Sequence, residues 1–211
     1  MLFKEDNRLT KTLYLSVMDS GSSLTSELIN FTLMSEDHCF YAERTDFIPS
    51  EDLSNVNEMI YRTNKYNDKT EYKNVTKRVE DEIIYTEIKD HDFKIQMELH
   101  DWLDEVSEQG KYYLTVWIDN PVIWIKFLNI GIPFAGAVPN IPEFLNPYPA
   151  DFNTLAMLTL NGKTIDDIFV DAPDEVEFNS MGRCMLLKDI TENIMGSIMA
   201  VKQQSSPRKK G

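Results

Sequence analysis

The run from Leu13 to Glu43, LYLSVMDSGSSLTSELINFTLMSEDHCFYAE, limits most tightly what this chain can become. Leu13, Leu15 and Val17 alternate with Tyr14 and Ser16, and the turn-rich Asp19-Ser20-Gly21-Ser22-Ser23 follows. A second apolar run holds Leu28, Ile29, Phe31, Leu33 and Met34. Ser35-Glu36-Asp37-His38 reads as a tight turn, after which Cys39, Phe40 and Tyr41 return. Apolar alternation with period two, broken by turn residues, is the mark of strands that bury a face. Three in succession predict a β-meander opening an α/β domain.

Downstream the period changes to that of helices. Ser50-Glu51-Asp52 reads as a capped helix start, with Leu53, Val56, Met59 and Ile60 on one face. Thr63 to Arg78 is polar and reads as a surface excursion; Val79 to Ile88 reads as a strand or hairpin arm. Ile95, Leu99, Trp102, Leu103 and Val106 predict a helix over 92–109, stopped at Gly110. Tyr112 to Asp119 reads as a buried central strand, and Pro121 opens a helix through Leu128, closing near Gly131. Pro133, Pro139, Pro142, Pro147 and Pro149 make 132–149 a loop. Asp151 caps a helix through Leu160, and a short element follows over 164–170. The last helix spans about 181–202, with Cys184, Leu187, Ile190, Ile194, Ile198 and Val201 as its stripe. The organisation expected is a lead-in over 1–12, one domain over 13–202 with a variable excursion at 63–90, and a disordered basic tail over 203–211. A mixed sheet flanked by helices follows.

Glu27-Leu28-Ile29-Asn30-Phe31-Thr32-Leu33 and Phe40-Tyr41-Ala42-Glu43 resemble the second and third strands of the DnaQ-like (DEDD) 3′-to-5′ exonucleases and exoribonucleases. The phage exonuclease A group is the nearest form. Pro149 to Leu155 resembles that family's helix start, and Gly162 to Phe169, with Asp166-Asp167, resembles its turn. The resemblance implies an RNase H-like fold and, for active members, a site that cleaves nucleic acid with two divalent ions.

Such a site needs carboxylates converging on two cations, one ion preparing water and the other steadying the leaving oxygen. Hard divalent ions take oxygen ligands. At the positions where the family holds these groups, this chain has Ser16 and Met18 on the first strand and Ile123 after the central strand. On the last helix it has Gly182 for the general base and Leu187 for the final ligand, or Met181 and Leu186 if the alignment slips by one residue. All are neutral, while Trp124 keeps its motif place beside Ile123 and the upstream Asp119 remains, where the family does not hold its principal ligand. The implied reading is a degenerate, catalytically inactive exonuclease with no cofactor, phage-encoded, with Met18, Ile123 and Leu187 filling the old ion cavity. The alternative is an active nuclease using Mg or Mn at a relocated site built from Asp19, Asp119 and Asp189, with Glu27 and Glu192 as further candidates. Strand geometry opposes it, because Asp19 and Met18 point to opposite faces.

A formal net charge of −14 and a pI of about 4.6 disfavour broad affinity for phosphate backbones. A protein partner is therefore expected, with nucleic acid as the alternative. Lys69, Lys73, Lys77 and Arg78 interleave with Tyr61, Tyr66 and Tyr72 in the pattern of a stacking platform, but Glu71, Glu80 and Asp81 interrupt it. His38, His91 and His100 sit in no nucleophile motif and read as solvated or capping residues. Cys39 and Cys184 read as buried reduced thiols. No apolar run spans a bilayer, and MLFKEDNR does not read as a secretory leader, so a soluble cytoplasmic protein is expected.

Overall fold

The computed structural model describes residues 8–19, 28–45, 75–132, 134–135, 138–160, 164, 167 and 180–205. The expected helix at 50–60 and most of the element at 164–170 lie outside these residues.

The meander is present as β1 (Leu9–Asp19), β2 (Leu28–Met34) and β3 (His38–Arg44), each antiparallel to the one before. A turn at Ser35–Asp37 joins β2 to β3, held where Ser35 Oγ accepts from the His38 amide at 3.0 Å. β1 begins at Leu9 rather than Leu13, because Leu9–Thr12 pair in parallel with Tyr112–Thr115. The strand or hairpin arm expected over 79–88 is present, and it begins earlier, at Val75, inside the stretch read as a polar excursion. It forms a hairpin, β4 (Val75–Glu80) and β5 (Ile83–Asp90), and β5 adds in parallel to β3.

α1 (Asp92–Val106) starts at the N-cap His91, whose side chain accepts from the Lys94 amide, and buries the five apolar residues expected. It stops at Val106, before Gln109, because Glu108, Gln109 and Gly110 turn to positive φ (51°, 58° and 78°). β6 (Tyr112–Ile118) is the central strand, and Asn120 caps α2 (Pro121–Gly131), accepting from the Val122 amide at 2.9 Å. Gly131 has a packing reason: a Cβ there would lie 2.9 Å from Leu99 of α1 and from Phe127. Within the proline loop, β7 (Phe134–Ala135) and β8 (Val138–Pro139) make a small hairpin. The loop then lies along β6, where the Leu114 amide donates to the Phe144 carbonyl at 2.7 Å and the Asn146 amide donates to the Leu114 carbonyl at 2.8 Å. β9 (Ala150–Asp151) adds in parallel to β6. Asp151 caps α3 (Phe152–Thr159), and α4 (Ser180–Ser205) closes the fold, continuing past the expected end near Lys202.

The result is a seven-stranded mixed sheet, ordered β4-β5-β3-β2-β1-β6-β9, with helices on both faces. Leu13, Leu15, Val17, Phe31, Leu33, Val116 and Ile118 point to the α1/α2 face and join Trp102, Trp124 and Phe127 in the larger core. Tyr14, Met34, Cys39 and Tyr85 point the other way and meet Phe152, Cys184, Leu187 and Ile194 of α3 and α4. Among the described residues no helix is long and apolar enough to cross a membrane.

Candidate functional site

β1, β6 and β9 run parallel, so their carboxyl ends lie on one edge of the sheet, and α2 and α3 start there. In open α/β sheets that edge is where ligands bind. It is also where the family resemblance calls for carboxylates.

Ser16 and Met18 do lie there, on the α4 side of β1. Ser16 is 1% exposed and opposite Thr32; Met18 is opposite Asn30. The Asn30 amide nitrogen lies 3.5 Å from the Met18 sulfur, the Thr32 and Ser180 hydroxyls are 2.9 Å apart, and Cys184 Sγ donates to the Tyr14 carbonyl at 3.1 Å. The first turns of α4 therefore sit directly on β1 and β2 through neutral groups. Ser16 Oγ and Asn30 Oδ1 are buried with no hydrogen-bond partner among the described residues. Such hydroxyl, amide and thioether groups cannot offset a divalent charge, so the residues present do not fit a two-ion centre.

Of the remaining positions, Gly182 and Leu187 lie on the same side of the sheet as Ser16 and Met18, but Ile123 does not. Leu187 packs into the α4 core, but Ile123 packs against the α1/α2 core, so Met18, Ile123 and Leu187 do not fill one cavity. Gly182 lies in the first turn of α4.

The acids named as alternatives are separately engaged. Asp19 lies past an irregularity in the β1–β2 register and forms an ion pair with Lys126 of α2. Lys126 is 4% exposed. Asp119, 2% exposed, receives Arg183 Nη2 of α4 at 3.1 Å, and its backbone carbonyl accepts from Asn153 Nδ2 of α3 at 2.6 Å. Asp119 thus ties together the starts of α2, α3 and α4, and the positive ends of helices favour a carboxylate there. Asp189 is exposed on α4, and Glu192 accepts from the Tyr14 hydroxyl at 3.4 Å. Glu27 lies outside the described residues. Among the described residues, no three His, Cys, Asp or Glu side chains are grouped so as to hold a metal ion.

Lys126 and Arg183 are the residues that sequence reasoning missed. Lys126 carried a usable signal: it stands alone among Val122, Ile123, Trp124, Ile125, Phe127 and Leu128, and a cation on such a helix must find an acid partner when buried.

The other polar candidates are structural. His91 caps α1 and His100 is exposed, as expected, but His38 is largely buried, with Nδ1 2.8 Å from Asp37 and Nε2 3.8 Å from Glu105. Burial raises the Asp37 carboxyl pKa, but hydrogen bonds from His38 and Ser35 outweigh it and hold the group below its ordinary range. Cys39 and Cys184 are both buried, and burial pushes the Cys39 thiol up to about 12. Lys77 pairs with Glu105 at 3.2 Å and Arg78 with Glu87 at 3.0 Å, while Tyr61, Tyr66, Lys69, Tyr72 and Lys73 lie outside the described residues.

No protein-family model matches this sequence, and no curated protein matches it.

Proposed function

We propose that the chain is an exonuclease-like scaffold of RNase H-like fold that binds a protein partner and does not cleave nucleic acid. The observation carrying this reading is the neutral set at the carboxyl edge. Ser16, Met18 and Asn30 line β1 and β2 there, and the nearby Asp19 and Asp119 already hold a lysine and an arginine. Two further facts support it. The segment β3-β2-β1-β6-β9, with a meander first and two strands parallel to β1, agrees with the layout that the resemblance implies. Arg8 donates to the Gly110 and Glu143 carbonyls, and each other lysine or arginine whose side chain is described forms an ion pair. Among the described residues that leaves little unpaired cationic surface for phosphates, and a net charge of −14 favours a partner with a basic face. The kinship suggested by the resemblance makes a phage protein acting in host cytoplasm the natural setting.

The test is direct. The full chain is incubated with 5′-labelled single-stranded DNA and RNA in Mg²⁺ or Mn²⁺. The proposal expects undegraded substrate and no salt-dependent gel shift. Shortening from the 3′ end that disappears in Asp19→Ala or Asp119→Asn would establish the relocated-site nuclease instead.

A further inference from the structure

β4 is the outermost strand of the sheet, and no described strand lies beyond it. Thr76 to Glu80 are exposed, and Val79 is 72% exposed, a large apolar side chain near the end of an open edge. Charged side chains on an edge ordinarily block pairing with another chain. Here their order does the reverse for one partner.

Alternate residues define the two faces of β4. Val75 packs against the α1/α2 core and Lys77 pairs with Glu105 of α1, so Val75, Lys77 and Val79 share that side. Arg78 lies over the Tyr85 ring, 4.1 Å from its centroid, so Arg78 and Glu80 share the α4 side. Two copies pairing antiparallel along β4, with their faces kept aligned, can meet only in registers that set residues of one side opposite each other. Centring the twofold axis on Arg78 opposes Arg78 to Arg78. Centring it on Lys77 or Glu80 also opposes like charges. Centring it on Val79 places Val79 against Val79 and Arg78 against Glu80 of the other copy, with Lys77 toward the other copy's turn at Asp81. Arg78 already pairs with Glu80 along its own strand, so this register makes a square of alternating charges on one side of the sheet. Opposite charges directly across an antiparallel pair stabilise it, and like charges destabilise it.

We propose that β4 is a self-association edge. Two copies join there with the axis at Val79, continuing the sheet across the dimer. This inference does not depend on the functional reading above. With the axis at Val79 the two copies of β4 overlap over Arg78–Glu80 of each, a contact well below about 1,200 Å², so association is weak and needs high protein concentration.

The test is sedimentation equilibrium on the full chain over a wide concentration range, with Arg78→Glu and Glu80→Arg variants whose melting curves match the parent. The parent mass should rise with concentration from 24.5 kDa toward twice that value. Each variant alone opposes like charges in this register and should stay at 24.5 kDa. An equimolar mixture of the two opposes only unlike charges and should regain the dimer. A parent that stays monomeric throughout, single variants that associate like the parent, or a mixture that stays monomeric would each overturn the proposal.

Discussion

On the face covered by α1 and α2, β1, β2 and β6 send in Leu13, Leu15, Val17, Phe31, Leu33, Leu114, Val116 and Ile118. Aromatic rings finish that core: Phe31 lies 5.9 Å from Phe40 and 5.4 Å edge-on from Phe127, and Phe40 lies 5.6 Å from Trp102. On the opposite face β1 and β2 send in Tyr14, Ser16, Met18, Asn30, Thr32 and Met34. One face holds the fold by hydrocarbon burial. The other gives up part of that burial to hydroxyl and amide groups, at the place where the proposed kinship would call for carboxylates. The difference teaches that the two faces answer to different demands, and substitutions across the sheet should separate them.

The largest effect belongs to the aromatic face. Phe31→Ala removes a ring packed on two others and should lower stability by about 4 kcal/mol, measured by urea unfolding. An effect near that of a surface change would mean the core is misplaced. Next is Lys126→Ala at the carboxyl edge, which removes the ion-pair partner of Asp19 in a largely buried setting and should cost about 3 kcal/mol. Asp19→Asn should cost less. Thr32→Val on the α4 face leaves the Ser180 hydroxyl without its 2.9 Å partner and should cost about 1–2 kcal/mol. Ser16→Ala removes a buried hydroxyl with no partner among the described residues and should change stability by about zero or raise it slightly. A large loss there would show that Ser16 holds something its surroundings do not reveal.

Thiol chemistry sharpens the same comparison. Cys39 and Cys184 both lie on the α4 face, and burial raises both thiols, Cys39 to about 12. At pH 8 neither should react with a thiol reagent in the folded protein, and both should react in denaturant. Rapid labelling of either under native conditions would mean that α4 lifts from the sheet. The smallest effect is the acid limb contributed by Asp37. Its folded pKa is depressed, so its contribution is present above the ordinary carboxylate range and is lost as pH falls through the folded value. Asp37→Asn should flatten the decline of melting temperature below about pH 4.

The architecture was largely legible in the sequence because each element carries its own period. The meander alternates at two, the α1 stripe at helical spacing, and Asn120-Pro121 and Asp151 announce helix starts. The hairpin at 75–90 was half-hidden, since β4 is an edge strand whose polar residues carry almost no burial pattern. The first turn of β1 was hidden because Leu9 is exposed, and its pairing with Tyr112 is a long-range contact. At the candidate site the neutral residues could be read by position, but their surroundings could not. That Lys126 reaches Asp19 and Arg183 reaches Asp119 depends on side chains distant in the chain, for which local periodicity holds no signal. The misplacement of Ile123 has the same origin: the turn of α2 sends it to the other face.

Isothermal titration of the folded chain with Mn²⁺ tests the central claim most directly, because it asks only whether the carboxyl edge accepts divalent cations. The account predicts no saturable heat at micromolar ion, and the same flat trace for Asp119→Asn. Binding of about two ions at micromolar concentration, lost in Asp119→Asn, would contradict it.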